Sequence, residues 1–178
     1  VERIDWLGYW DSGMSGWAQN SDARCLHMAD VDAAAGRLAR ILDREDADVV
    51  IGYDHHGNYG HPDHIAVHRL TRRSVELAAR RPRLMESTTN QSAQLEMLDR
   101  PEVTELFDAL AAAGSDVAEI RKMILTGDDG QPVGVPEAEI AWAVELPDDV
   151  IELKRRSMEC HASQTSDIGL MLSLPPAV

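Results

Sequence analysis

Two rhythms of apolar positions run along this chain. From Asp30, the stretch DVDAAAGRLARILDRED sets Val31, Ala34, Ala35, Leu38, Ile41 and Leu42 on one stripe. That is the spacing of an amphipathic helix, and Asp30 is placed to cap it. DVVIGY (48–53) is instead a short β-branched run, the pattern of a strand central in a parallel sheet and buried on both faces. RIDWLGYW (3–10) reads as another short buried strand, and DSGMSGWAQNSDA (11–23) as a loop dense in Gly, Ser, Asn and Asp. Pro62 suits the first turn of a helix, where its missing N–H costs nothing, and that helix continues through HIAVHRLTRRSVELAARR.

Beyond it the pattern predicts a strand at RLMEST (83–88) and an Ala-rich helix near 101–113. GDDGQPVGVPEA (127–138) reads as a surface loop or lid, and EIAWAVEL (139–146) alternates like a strand. DDVIELKRRSMECHASQ (148–164) reads as a helix with acids first and bases later, as the helix dipole favours. Strands alternating with helices predict an α/β fold, a mainly parallel sheet with flanking helices. A length of 178 residues fits one domain, 1–178. The chain starts at Val1, close to the apolar IDWLGY, and ends in GLMLSLPPAV. The expectation is a domain truncated at its N-terminus, with its first strand missing.

Charge narrows the function. A net charge of −14 argues against nucleic acid, whose binding rests on Lys and Arg, and against an anionic membrane surface. No apolar run is long enough to span a bilayer. Cys25 and Cys160 form no CxxC pair, and a reducing cytoplasm is the simpler reading. No G-x-S-x-G elbow and no phosphate-cradling GxxxxGK[ST] is present.

The candidate chemistry is concentrated in YDHHGNYGHPDH (53–64), which holds four of the seven histidines. The loop follows a strand's C-terminal end and opens a helix, where α/β sheets bind ligands. His64 falls in the helix's first turn and His61 three residues earlier, on one side of it. A neutral His64 can bind a metal through one ring nitrogen while His61 handles a proton, with Asp63 or another carboxylate orienting it. Spacing alone leaves a site and a structural role equally open for this pair. His55 and His56 read as loop surface residues. His68 reads as a helix-face histidine, since its H-x-x-x-H spacing to His64 lacks the Glu of zinc proteases. His27 is isolated.

GYDHHGNYGHPDHIAVHR (52–69) resembles a signature of the LmbE-like, or PIG-L, family of zinc-dependent N-acetylglucosamine deacetylases and amidases. LGYWDSGM (7–14) is similar to the family's strand and substrate loop, and RRSMECHASQTSD (155–167) to its C-terminal His-x-Ser-Gln helix. The pattern is similar to that of actinobacterial members, the mycothiol-pathway deacetylases among them. The resemblance implies a Rossmann-like, LmbE-like sheet and a hydrolase that removes an N-acetyl group from a GlcNAc-type sugar. It implies His64 as a metal ligand for Zn2+, with Fe2+ able to use similar ligands. It implies His61, Asp63 and Tyr59 as the catalytic set: a charged His61 at the oxyanion or leaving amine, Asp63 orienting it, and Tyr59 at the rim. Asp11 and Met14 would line the sugar pocket, and His161 and Gln164 would form a structural clamp. The family's Ala-His-Pro-Asp-Asp-Glu signature, which supplies two further ligands and the general base, does not occur in this chain. The expectation is therefore a piece that holds zinc poorly and turns over little. An amidase of thiol conjugates and a non-enzymatic metal-binding module stay open as alternatives. A homo-oligomer formed through an exposed sheet edge is a further expectation.

Overall fold

A computed structural model of the chain describes residues 3–127, 129–163, 168, 169 and 172. Its centre is a parallel pair of strands, β1 (Val49–Tyr53) and β2 (Arg83–Ser87), in register from Val49 opposite Arg83 to Tyr53 opposite Ser87. The link between them contains a single kinked turn, α2 (Gly57–Gly60), and the helix α3 (Pro62–Leu77). Helix α1 (Val31–Arg44) packs on α3, and α3 packs on both strands. Asp30 caps α1 as its sequence predicts, its Oδ1 accepting from Ala33 N at 2.8 Å. Ala34, Ala35, Ala39 and Leu42 of α1 and Leu70 of α3 are all buried. Small alanines on the α1 stripe let the helices approach closely, and each lost methyl contact there would be felt.

A second core lies apart from the sheet. Helices α4 (Gln91–Leu98), α5 (Pro101–Ala112) and α6 (Val117–Leu125) close around Leu98, Val103 and Phe107, all nearly inaccessible. Helix α5 was predicted; α4 and α6 were not. Their signals are local. Asn90 caps α4 by accepting from Ser92 N and Ala93 N, and Asp116 caps α6 by accepting from Glu119 N.

The structure departs from the predicted pattern elsewhere as well. Residues 3–9 form no strand, and Trp10 makes only an isolated parallel bridge to Cys25. Ile4 and Trp6 are exposed, and among the described residues the run joins no sheet. Strand β1 is covered on one face only. Gly52 lies against Thr71 of α3, whereas Val49 and Ile51 on the other face are 47% and 69% exposed. Among the described residues it pairs with β2 alone, so it is not a central strand. Residues 140–146 form no strand and, among the described residues, no bridge. They stand off from β2 across a groove of about 720 Å³. Helix α7 (Asp148–Glu159) stops short of the predicted 164, and α3 ends at Leu77, short of the predicted 81. No helix among the described residues is long and apolar enough to cross a membrane.

Candidate functional site

The histidine loop is built by one buried carboxylate. Asp54, at the end of β1, is 5% exposed. Its Oδ1 accepts from His56 N at 3.1 Å and Asn58 N at 2.8 Å, and its Oδ2 accepts from the Thr88 hydroxyl beyond β2. A carboxylate can satisfy several backbone donors at once, which is why an acid and not an amide suits this corner. Gly57 then runs against the start of α3 at φ 65°. A Cβ there would lie 2.8 Å from His64 Cβ, so only glycine fits.

This close passage sets His64. Its Nδ1 lies 3.2 Å from the Gly57 carbonyl, which can only accept, so Nδ1 carries the proton and Nε2 keeps its lone pair. The ring stacks on Tyr53 with centroids 3.9 Å apart and planes within 8°. Burial pushes the His64 pKa below its ordinary value, against the opposing hydrogen bond to Gly57. A neutral imidazole with one nitrogen tied to a carbonyl and the other free is the arrangement in which histidine ligates a metal.

His61 sits beside it, ring centroids 5.0 Å apart. It caps α3: Nδ1 accepts from Asp63 N at 3.1 Å, leaving Nε2 as the donor. Tyr59 meets both rings edge-on, at 4.9 Å from His64 and 6.0 Å from His61. Asp63 reaches His61 through its backbone N–H. Its carboxylate turns the other way, accepting from Ser12 N at 3.0 Å and from the Ser12 hydroxyl. The expected orienting contact is thus made by the main chain, while the carboxylate anchors the 11–14 loop.

Ser12 went unnoticed in the sequence and is fully buried. Its hydroxyl donates to Asp63 and accepts from His27 N at 3.0 Å. It therefore holds the loop carrying Asp11 and Met14 against the start of α3. Asp11 is exposed and folds back on its own loop, accepting from Gly13 N at 2.7 Å; Met14 is half-buried.

The other histidines divide. His55 is exposed, as expected of a loop surface. His56 is not a surface residue: its Nε2 lies 2.8 Å from Asp129 Oδ2, and its side chain is 13% exposed. His68 faces β2, with Nδ1 3.0 Å from Glu86 Oε1 and 3.2 Å from the Tyr53 carbonyl. His161 lies just past the C-cap of α7 and is exposed, and Gln164 lies outside the described residues.

As a metal centre the donor set is partial. His64 fits a ligand's role, but among the described residues no three His, Cys, Asp or Glu side chains are placed to hold an ion together. Catalytic zinc takes three protein ligands and keeps an open position.

Residues 1–75 match the family model PIG-L: GlcNAc-PI de-N-acetylase, a stretch that covers the Asp11–Met14 loop, α1, β1 and the histidine loop. Residues 1–75 are a PIG-L family segment. The chain is 34% identical over 176 residues to a protein of Thermobifida fusca named 1D-myo-inositol 2-acetamido-2-deoxy-alpha-D-glucopyranoside deacetylase, covering 93% of this chain and 56% of that one. A deacetylase 2 of the same description from Frankia casuarinae is 35% identical over 179 residues, covering 96% and 55%. A third, from Thermomonospora curvata, is 52% identical over 73 residues, covering 40% of this chain and 25% of that one. The chain thus spans little more than half the length of the first of these PIG-L relatives.

Proposed function

We propose that this chain carries the histidine-loop part of a metal-dependent N-deacetylase that removes acetate from an N-acetylglucosaminyl conjugate. The observation that carries the proposal is His64, its Nδ1 turned to Gly57 and its Nε2 left free, next to the His61 ring. The relatives' names supply the substrate class, a 2-acetamido-2-deoxyglucopyranoside of inositol. Zn2+ is the metal this reading assigns to His64, and Fe2+ would suit the same donors. In it the chain is part of a single LmbE-like α/β domain working in the cytoplasm.

The chain's own groups then take separate tasks. His61 offers its Nε2 proton toward the acetamide oxygen or the departing amine. Tyr59, edge-on to both rings, offers a hydroxyl donor at the rim. Asp63 holds the 11–14 loop through Ser12, so that Asp11 and Met14 frame the sugar. Since the described residues lack a full ligand set, the chain alone is expected neither to hold stoichiometric zinc nor to release acetate.

The test compares the chain with a chimera bearing, ahead of Val1, the Ala-His-Pro-Asp-Asp-Glu segment of a relative. Bound zinc and acetate release from an N-acetylglucosaminyl inositol are measured for both. Both should appear only in the chimera. There, His64→Ala should lose zinc, while His61→Ala should keep zinc and lose turnover. A chimera that binds zinc but deacetylates nothing would overturn the reaction, and equal zinc loss in the two variants would overturn the division of roles.

A further inference from the structure

The turn that presents Tyr59 is strained and is clamped from outside. Asn58 precedes it at φ 65°, ψ −64°, outside the ordinary regions for a residue with a side chain. Such a conformation persists only where the surroundings over-determine it. Here Asp54 holds the Asn58 N–H, and Gly134 N donates to the Asn58 carbonyl at 2.7 Å.

Gly134 belongs to the segment 129–135, which docks on the histidine loop through further contacts. His56 Nε2 meets Asp129 Oδ2 at 2.8 Å, and Asp129 Oδ1 accepts from Gln131 N at 3.0 Å. The carboxylate lies so close to Gly60 that a Cβ there would stand 2.7 Å from Asp129 Cγ. Gly127 abuts the Tyr59 carbonyl just as tightly. Val133 and Val135, each 7% exposed, root the segment in the fold. The contacts of Asp129 with His56 and Gly60, of Gly134 with Asn58 and of Gly127 with Tyr59 fall on residues 56–60, the turn that sets where the Tyr59 ring points. None is made with His61 or His64 directly.

We propose that His56 and Asp129 form a latch that positions Tyr59: the pair seats the 129–135 segment on the strained turn and so fixes the Tyr59 ring against His61 and His64. They are positioning residues, acting through Tyr59. The inference rests on Tyr59 being a substrate-facing group, but its test needs neither metal nor turnover.

The experiment is ¹H–¹³C NMR of the Tyr and His rings in the chain as it stands. The Tyr59 ring current falls on both histidines, so its position is read at their carbon-bound protons. Asp129→Ala should displace the Tyr59, His61 and His64 signals and leave those of His27 and Tyr9 in place. Asp129→Asn should restore them, since an amide can still accept from Gln131 N and donate to a neutral His56. If Asp129→Ala loses spectral dispersion altogether, His56→Ala decides, because it cuts the link while Asp129 keeps its bond to Gln131. Tyr59, His61 and His64 signals that stay in place in His56→Ala would overturn the latch, as would Asp129→Asn behaving like Asp129→Ala.

Discussion

The histidine loop and the 140–159 stretch are built on opposite principles. In the loop, residues 54–64, nearly every turn is fixed by a named polar bond: Asp54 to two backbone N–H groups, His64 to Gly57, His61 to Asp63 N. Its side chains are mostly polar, and Asp54, Gly57, Gly60 and Pro62 are buried. The later stretch is rich in large apolar side chains, yet Trp142, Val144 and Leu153 are 68%, 73% and 62% exposed, and α7 buries none of its residues. Hydrophobicity gives a segment a reason to bury but no direction. The loop has direction because its donors and acceptors match one geometry.

The sharpest way to break this contrast is Asp54→Ala. Two backbone N–H groups and the Thr88 hydroxyl would lose their acceptor in a mostly buried corner. A loss of about 3 kcal/mol is expected for orphaned partners of a charged group. For a domain of this size that is a drop in Tm of roughly 6 to 12 °C. Calorimetry checks it. A drop under about 2 °C would mean that the loop is held by something other than this carboxylate.

Ser12→Ala should cost less, about 1 to 2 kcal/mol. It removes the hydroxyl from Asp63 and from His27 N but leaves Ser12 N on the carboxylate. Urea unfolding gives the cost. The 11–14 loop should also become more accessible to protease, whereas α1 should not. Equal protection in the variant and the parent would separate Ser12 from the placing of Asp11 and Met14.

A smaller effect concerns pH. The folded-state pKa of His64 lies below its ordinary 6.5, with burial as the largest cause. Above pH 6.5 the ring is neutral folded and unfolded alike and adds no pH dependence. As pH falls below 6.5 the unfolded chain takes up the proton first, so stability must decline until the folded state's own pKa is passed. His64→Phe keeps the stack on Tyr53 and removes the titration. The fall in urea midpoint between pH 7.5 and 5.5 should be smaller in that variant than in the parent. An identical fall would show that His64 does not titrate differently on folding.

The same contrast explains what the sequence allowed to be read. Helix α1, α3 with Pro62 in its first turn, and both strands were legible because short-range signals decide them: a cap, an apolar stripe, a β-branched run. The pairing of His61 with His64 was legible from helix spacing. Asp54 and Ser12 were not singled out, since what marks them is burial, and burial depends on partners 34 and 51 positions away. His56 was misread for the same reason, its partner lying 73 positions on. EIAWAVEL had the alternation of a strand, but alternation states only which side would face a core; the neighbour it would pair with is not encoded locally.

The smallest expected effect is also the most direct trial of the contrast. Trp142 is 68% exposed on the far wall of the groove beside β2. Trp142→Ala should therefore change stability by no more than about 0.5 kcal/mol, the range of surface substitutions. Removing a tryptophan from a packed core costs roughly 3 to 5 kcal/mol. The two outcomes are far enough apart for urea unfolding to separate them. Fluorescence gives a second reading: Trp6, Trp10 and Trp17 are exposed as well, so losing Trp142 should dim the emission without shifting its maximum to the red. A large stability cost together with a red shift would mean that residues 140–146 lie against β2 in solution. EIAWAVEL would then be a third strand, and the two stretches would no longer differ in kind.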